Sequence, residues 1–150
     1  MSDPLTFENS SPRFGLPFLY VGQAQKEFYV NEALARADTL LHCAIEGTAA
    51  TPPATPANGD AWHIASSPTG EWSGQSGKIA SWQSGAWTYI TPQDGMRIFN
   101  RATGQSWLYF SEWKIPQEVT TPTGGGNVDS EARAALNQLI AALKLAGILP

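Results

Sequence analysis

The spacing of apolar residues along the chain changes three times, and each change marks an element. Within residues 22–47, GQAQKEFYVNEALARADTLLHCAIEG, apolar side chains fall at Val30, Ala33, Leu34, Ala37, Leu40, Leu41, Ala44 and Ile45. Steps of three and four align these on one stripe of a helix, with Gly47 as its C-terminal stop. Asn31 is a candidate N-cap, which would leave GQAQKEFY as a separate short turn or helix. The pattern leaves that boundary open. From residue 60 to residue 115 the period drops to two. The runs AWHIA, KIASWQ, AWTYI, MRIFN, QSWLYF and EWKI alternate with Ser-Gly, Asp-Gly and Thr-Gly pairs, as strands joined by turns do.

With Ser84-Gly85 as a two-residue turn, Gln83 faces Ala86 and Trp82 faces Trp87. Lys78, Ala80, Trp82, Trp87 and Tyr89 then share one face, and Ile79, Ser81, Thr88 and Ile90 the other. A second hairpin through NRATGQ groups Met96, Ile98, Trp107 and Tyr109 opposite Arg97, Phe99, Ser106 and Leu108. TPANGDAWHI and TPQDGMRIFN both set Thr-Pro and a glycine before a strand, which suggests two similar β units. Helical spacing returns after TTPTGGG, where Ala132, Leu136, Leu139, Ile140 and Leu143 form a stripe. Asn127 or Asp129 caps this helix, Lys144 lies in its last turn and Gly147 ends it.

The fold class expected is α+β: an N-terminal helix, a small antiparallel β-meander with an aromatic-rich core, and a C-terminal helix after a glycine linker. Its parts are an extended N-terminal segment (1–21), a helical segment (22–47), a linker (48–59), a β domain (60–115), a Gly/Pro/Thr linker (116–126) and an oligomerisation helix (127–150). Phe14, Leu16, Phe18, Leu19 and Tyr20 make the first segment too apolar to float free. His42 and Cys43 are adjacent on the first helix and read as ordinary helix residues beside its stripe.

Composition narrows the function. The 150 residues carry a net charge of −4 with only 15% charged side chains, so there is no basic patch of the kind phosphate backbones require. Nucleic acid is not an expected partner. The single cysteine, Cys43, excludes an internal disulfide and a Cys-rich zinc site. No segment reads as a secretory signal or a bilayer span, so synthesis in the cytoplasm without a signal peptide and without membrane insertion is expected. Asp60, His63 and Ser66 have the identities of a catalytic triad, but three positions apart on a strand side chains point to opposite faces, and no nucleophile elbow is present. Asp60, Glu71, Asp94 and Glu112 read as solvated surface acids. Nothing indicates an enzyme, a cofactor or a metal site.

Six tryptophans are many for so small a chain. Most are expected to hold the sheet, since cross-strand aromatic pairs stabilise small sheets. Indoles among glycine, serine and glutamine also suit sugar recognition, in which apolar pyranose faces stack on rings. Trp72 and Trp87 are the candidate carbohydrate-binding residues, and Trp72, in GEWSGQSG, is the ring expected to be most exposed.

Two stretches, FGLPFLYVGQAQKEFYVNEALARADTLL and PPATPANGDAWHIA with TGEWSGQSGKIASWQSGAWTYITPQDGMRIF, carry a resemblance over residues 13–113. They resemble an uncharacterised domain family of alphaproteobacterial prophages and gene transfer agents, most specifically in GQAQKE followed by NEALARAD. VDSEARAALNQLIAALKLAGIL resembles the helical tail that ends tail-fibre and head-spike proteins. The resemblance implies a non-enzymatic virion component that attaches to capsid or tail proteins and meets host surface polysaccharide. A chain stopping at residue 150 favours a spike or fibre base or adaptor over a complete fibre. The alternatives are a free-standing carbohydrate-binding module and, third, a glycan hydrolase. Self-association is expected through Ala132, Leu136, Leu139, Ile140 and Leu143, because a closed ring buries every stripe equally. A trimer is favoured, as in fibre proteins, with a pentamer as the alternative.

Overall fold

The structure, a computed structural model, describes residues 11–14, 16, 18–19, 26–126 and 129–149, without the side chains of residues 27 and 28. Tyr20, Asn127 and residues 22–25 of the expected helical segment lie outside the described residues. The elements are α1 (Lys26–Leu40), β1 (Ala44–Ile45), β2 (Thr48–Ala49), β3 (Ala61–Ile64), a 3-10 turn (Gly70–Trp72), β4 (Ile79–Gln83), β5 (Ala86–Ile90), β6 (Arg97–Asn100), β7 (Gln105–Phe110), β8 (Glu112–Lys114) and α2 (Ser130–Leu145). Two helices and two small, mostly antiparallel sheets make an α+β fold. The chain divides into two compact units, one reaching Pro92 and one beginning at Gln93. The expected single β domain over 60–115 is therefore shared between two units.

In the first unit β2 runs parallel to β3, and β3, β4 and β5 form an antiparallel meander. The pairs Gln83↔Ala86 and Trp82↔Trp87 match the expected register. Ser84 and Gly85 both have positive φ (51° and 84°), the conformation of a turn whose twist suits adjoining strands. Fully buried Ile45, Ile64, Trp72 and Ile79 form much of the interior. The expected linker at 48–59 is not a free connection. β2 lies inside it, the Thr69 N–H donates to Ala50 O at 2.8 Å, and the Gly59 N–H donates to Trp82 O at 2.9 Å.

α1 departs from expectation at its C-terminal end and in part of its face. It stops at Leu40, and Ala44 and Ile45 are strand, so His42 and Cys43 are not helical and Gly47 is not its stop. The Arg13 guanidinium supplies the termination, donating to the carbonyls of Asp38, Thr39 and His42 at 2.8–2.9 Å. These are carbonyls that a helix end leaves without partners. Asn31 is inside the helix and is not its cap. Its side-chain amide pairs in both directions with the Leu19 backbone, at 2.8 and 3.1 Å. Asp38, which is buried, accepts from the Ser11 hydroxyl and from the N–H groups of Arg13 and Phe14. The inward face of α1 thus carries polar side chains, which satisfy backbone groups of Arg13, Phe14 and Leu19. Of the expected apolar stripe, Val30, Ala33, Leu40 and Leu41 are exposed, as is Tyr29 at 75%, whereas Leu34, Ala37 and Ala44 are partly covered and Ile45 is buried.

In the second unit β6, β7 and β8 form an antiparallel meander; Ile98↔Trp107 agrees with the faces expected for the NRATGQ hairpin, and β8 adds Tyr109↔Trp113. α2 begins at Asp129, whose carboxylate accepts from the N–H groups of Glu131 and Ala132. It ends at Gly147, where the Ile148 N–H bonds Leu143 O and the Gly147 N–H bonds Lys144 O. This is the glycine-terminated helix end seen when the stop residue is left-handed, here with φ +68°.

Candidate functional site

The aromatic face of the first sheet follows from its register. Alternation sends Trp62, Ala80, Trp82, Trp87 and Tyr89 to one side. Ala80 is the small residue in the middle, and the connection from Ala65 to Lys78 folds back so that Trp72 packs against Ala80 and Ile64. Ring centroids lie 5.1 Å apart for Trp72 and Trp87, 5.8 Å for Trp62 and Trp87, and 4.9 Å for Trp82 and Trp87. The first two contacts are edge-to-face, the arrangement that ring quadrupoles favour. The Tyr89 hydroxyl donates to Glu71 O at 2.7 Å and fastens the connection to β5. Burial, and then the Glu71 charge, hold the Tyr89 hydroxyl above its usual pKa.

Trp72 is 0% exposed, which corrects the expectation that its ring is the most exposed. A glycine- and serine-rich neighbourhood reads as surface, but here it supplies the turns that bring the indole back over the sheet. Trp72 cannot stack on a ligand from solvent. Trp87 is half-buried, and so is its cross-strand neighbour Trp82, which joins it in the candidate surface. The sequence register had already paired these two.

The Asp60 carboxylate accepts from the Ala57 N–H at 2.8 Å, His63 Nδ1 lies 3.2 Å from Thr48 Oγ1, and Ser66 is exposed. Burial lowers the His63 pKa from its usual value. The Cys43 thiol is pushed up to about 11 by burial, against the opposing pull of Arg13, and is a poor nucleophile there. Asp94 accepts from the Ser111 N–H, and Glu112 pairs with Lys114 at 2.7 Å. Among the described residues no group of three or more His, Cys, Asp or Glu gathers around a metal-sized space, and no helix is long and apolar enough to cross a membrane.

The second candidate surface is α2. No residue of this helix is buried. Leu136 and Leu139 are 48% and 54% exposed, Ala132 is exposed, and Ile140 and Leu143 are only partly covered. Leu145, outside the expected stripe, is 92% exposed. The end of the helix is fixed to its own sheet, where the Ser106 N–H donates to Gly147 O at 2.9 Å.

These features define a class: a small α+β protein of paired β-meanders with apolar helices left open. The chain belongs to the family described as protein of unknown function DUF2793, whose model matches residues 30–114. The match ends on the last residue of β8 and leaves α2 outside. No curated protein matches the chain.

Proposed function

We propose that the protein is a non-catalytic structural component of a phage or phage-like particle, a spike or fibre base or adaptor that assembles as a homo-oligomer. The observation that carries this reading is the uncovered apolar face of α2. A helix of this length is marginal in water by itself, and each leucine withdrawn from solvent contributes about 1.5–3 kcal/mol. Identical helices around a closed ring cover all the stripes at once, as a trimer or, as the alternative, a pentamer. The exposed apolar residues of α1 add a second apolar surface of the same kind. The resemblance of residues 13–113 to prophage and gene-transfer-agent proteins supports the particle setting, with capsid or tail proteins as partners.

The expected result of light scattering is an oligomer for the full chain at micromolar concentration and a monomer without residues 124–150. A monomeric full chain would overturn self-assembly. Particles purified from a producing host should contain the protein at fixed stoichiometry; its absence would favour a free-standing carbohydrate-binding module.

The half-buried pair Trp82 and Trp87 favours a second reading, contact with host surface polysaccharide. The chain between them is Gln83, Ser84, Gly85 and Ala86, so half-buried ring surface adjoins a turn that carries amide and hydroxyl groups. Pyranose rings present the matching surfaces, an apolar face and a hydroxyl rim.

A further inference from the structure

The two β-meanders are one module built twice, down to individual hydrogen bonds. Thr55-Pro56-Ala57-Asn58-Gly59-Asp60 precedes β3 as Thr91-Pro92-Gln93-Asp94-Gly95-Met96 precedes β6. In the first, the Asp60 N–H donates to Ala57 O at 3.0 Å, and Gly59 to Trp82 O at 2.9 Å. In the second, Met96 donates to Gln93 O and Gly95 to Tyr109 O, both at 2.9 Å. Trp82 returns a bond to Asp60 O at 2.9 Å, and Tyr109 returns one to Met96 O at 2.8 Å. Gly59 and Gly95 have φ +90° and +91°. Ser84 and Ser111 are left-handed at φ 51° and 59°, and each gives its N–H to the motif's side chain, Asn58 Oδ1 at 2.9 Å and Asp94 Oδ1 at 2.7 Å. A left-handed non-glycine residue costs about 1–2 kcal/mol, so chance recurrence at equivalent turns is a poor account. The registers agree throughout: Trp62↔Ala80 corresponds to Ile98↔Trp107, and Trp82↔Trp87 to Tyr109↔Trp113.

The differences are as informative. The first module carries the connection 65–78 with Trp72, whereas residues 101–104 suffice in the second. Trp72 packs over Ala80, and the residue equivalent to Ala80 is Trp107. A loop supplies the buried indole in one module and a strand supplies it in the other. Trp72 lies 5.1 Å from Trp87, and Trp107 lies 6.3 Å from Trp113. Each interior is filled by its own indole, yet each module also keeps a half-buried cross-strand aromatic pair, with centroids 4.9 Å apart in Trp82–Trp87 and 5.1 Å in Tyr109–Trp113. Charged side chains lie near both pairs: Asp60 stands opposite Trp82, whose N–H donates to Asp60 O, and Glu112 and Lys114 flank Trp113 in sequence and pair with each other at 2.7 Å.

We propose that Tyr109 and Trp113 form a second saccharide-stacking site equivalent to Trp82 and Trp87, so that one chain binds a hexose polysaccharide at two places. This rests on the polysaccharide reading above. Two linked sites on one repeating polymer raise avidity without new contacts.

The experiment is titration calorimetry of the full chain against a panel of short hexose oligosaccharides. The expected result is two ligands per chain, falling to one in Trp113→Ala and to one in Trp87→Ala. One ligand per chain, unaffected by Trp113→Ala, would overturn the second site while leaving the first intact. No binding by any oligosaccharide would overturn both. Because either variant risks loss of fold, indole N–H resonances of the unaltered chain supply a second readout. Trp87 and Trp113 should both shift on titration, and a shift confined to Trp87 would again overturn the second site.

Discussion

Trp72 shows how local composition misleads about one side chain. The residues around it are small and polar because they must turn the chain sharply twice, and Gly70, Gly74 and Gly77 all take positive φ. The indole rides on that loop into the space above Ala80. Its Nε1 is buried without a hydrogen-bond partner, so what it contributes is shape and apolar area. Trp72→Ala should therefore cost about 3–5 kcal/mol, measured by urea unfolding. Trp72→Phe, which gives up no hydrogen bond, should cost less than half as much. Equal, small losses in both would mean that the ring does not hold the core.

Helix ends divide into those stopped locally and those stopped by distant residues. α2 is capped by Asp129 and stopped by Gly147, residues within a turn of its limits; the spacing named the glycine and offered Asp129 beside Asn127. At the end of α1 His42 turns left-handed at φ 47° and Arg13, remote in sequence, holds the carbonyls there, whereas spacing alone extended the helix to Gly47. Gly147 also has a tertiary role. A Cβ there would sit 2.7 Å from Gly104 O, in addition to the strain of φ +68°. Gly147→Ala should destabilise the second unit by about 1–3 kcal/mol and speed amide exchange at Ser106, whose N–H bonds Gly147 O. Unchanged exchange at Ser106 would show that this anchor is not needed.

Both helices of the molecule turn apolar residues to solvent, and the second does so along its whole length. Leu136 and Leu139, 48% and 54% exposed, lie outside the buried core of the second unit, so making them charged should leave the sheet untouched. The pair Leu136→Glu and Leu139→Glu is expected to reduce the mass of the assembly to that of one chain. The near-ultraviolet signal of the sheet tryptophans should remain as it was. Loss of that signal would place the leucines in the core instead, and retention of the oligomer would move the interface elsewhere, with the α1 stripe as the next candidate.

Periodicity determined what depends on neighbours in the chain. The strand faces, the Ser84-Gly85 register, the Asp129 cap and the paired Thr-Pro-glycine motifs all follow from spacings of two to four residues, because turn geometry and side-chain alternation act over that range. Three matters were decided only by the fold. Trp72 is buried because Ala80 leaves room for it. α1 ends where Arg13 reaches its carbonyls. Its inward face is polar because Asp38 and Asn31 bond the backbone of Arg13, Phe14 and Leu19, while Val30, Ala33 and Leu40 stay exposed. In each case the deciding partner lies eight or more positions away along the chain, at a separation that local periodicity does not encode.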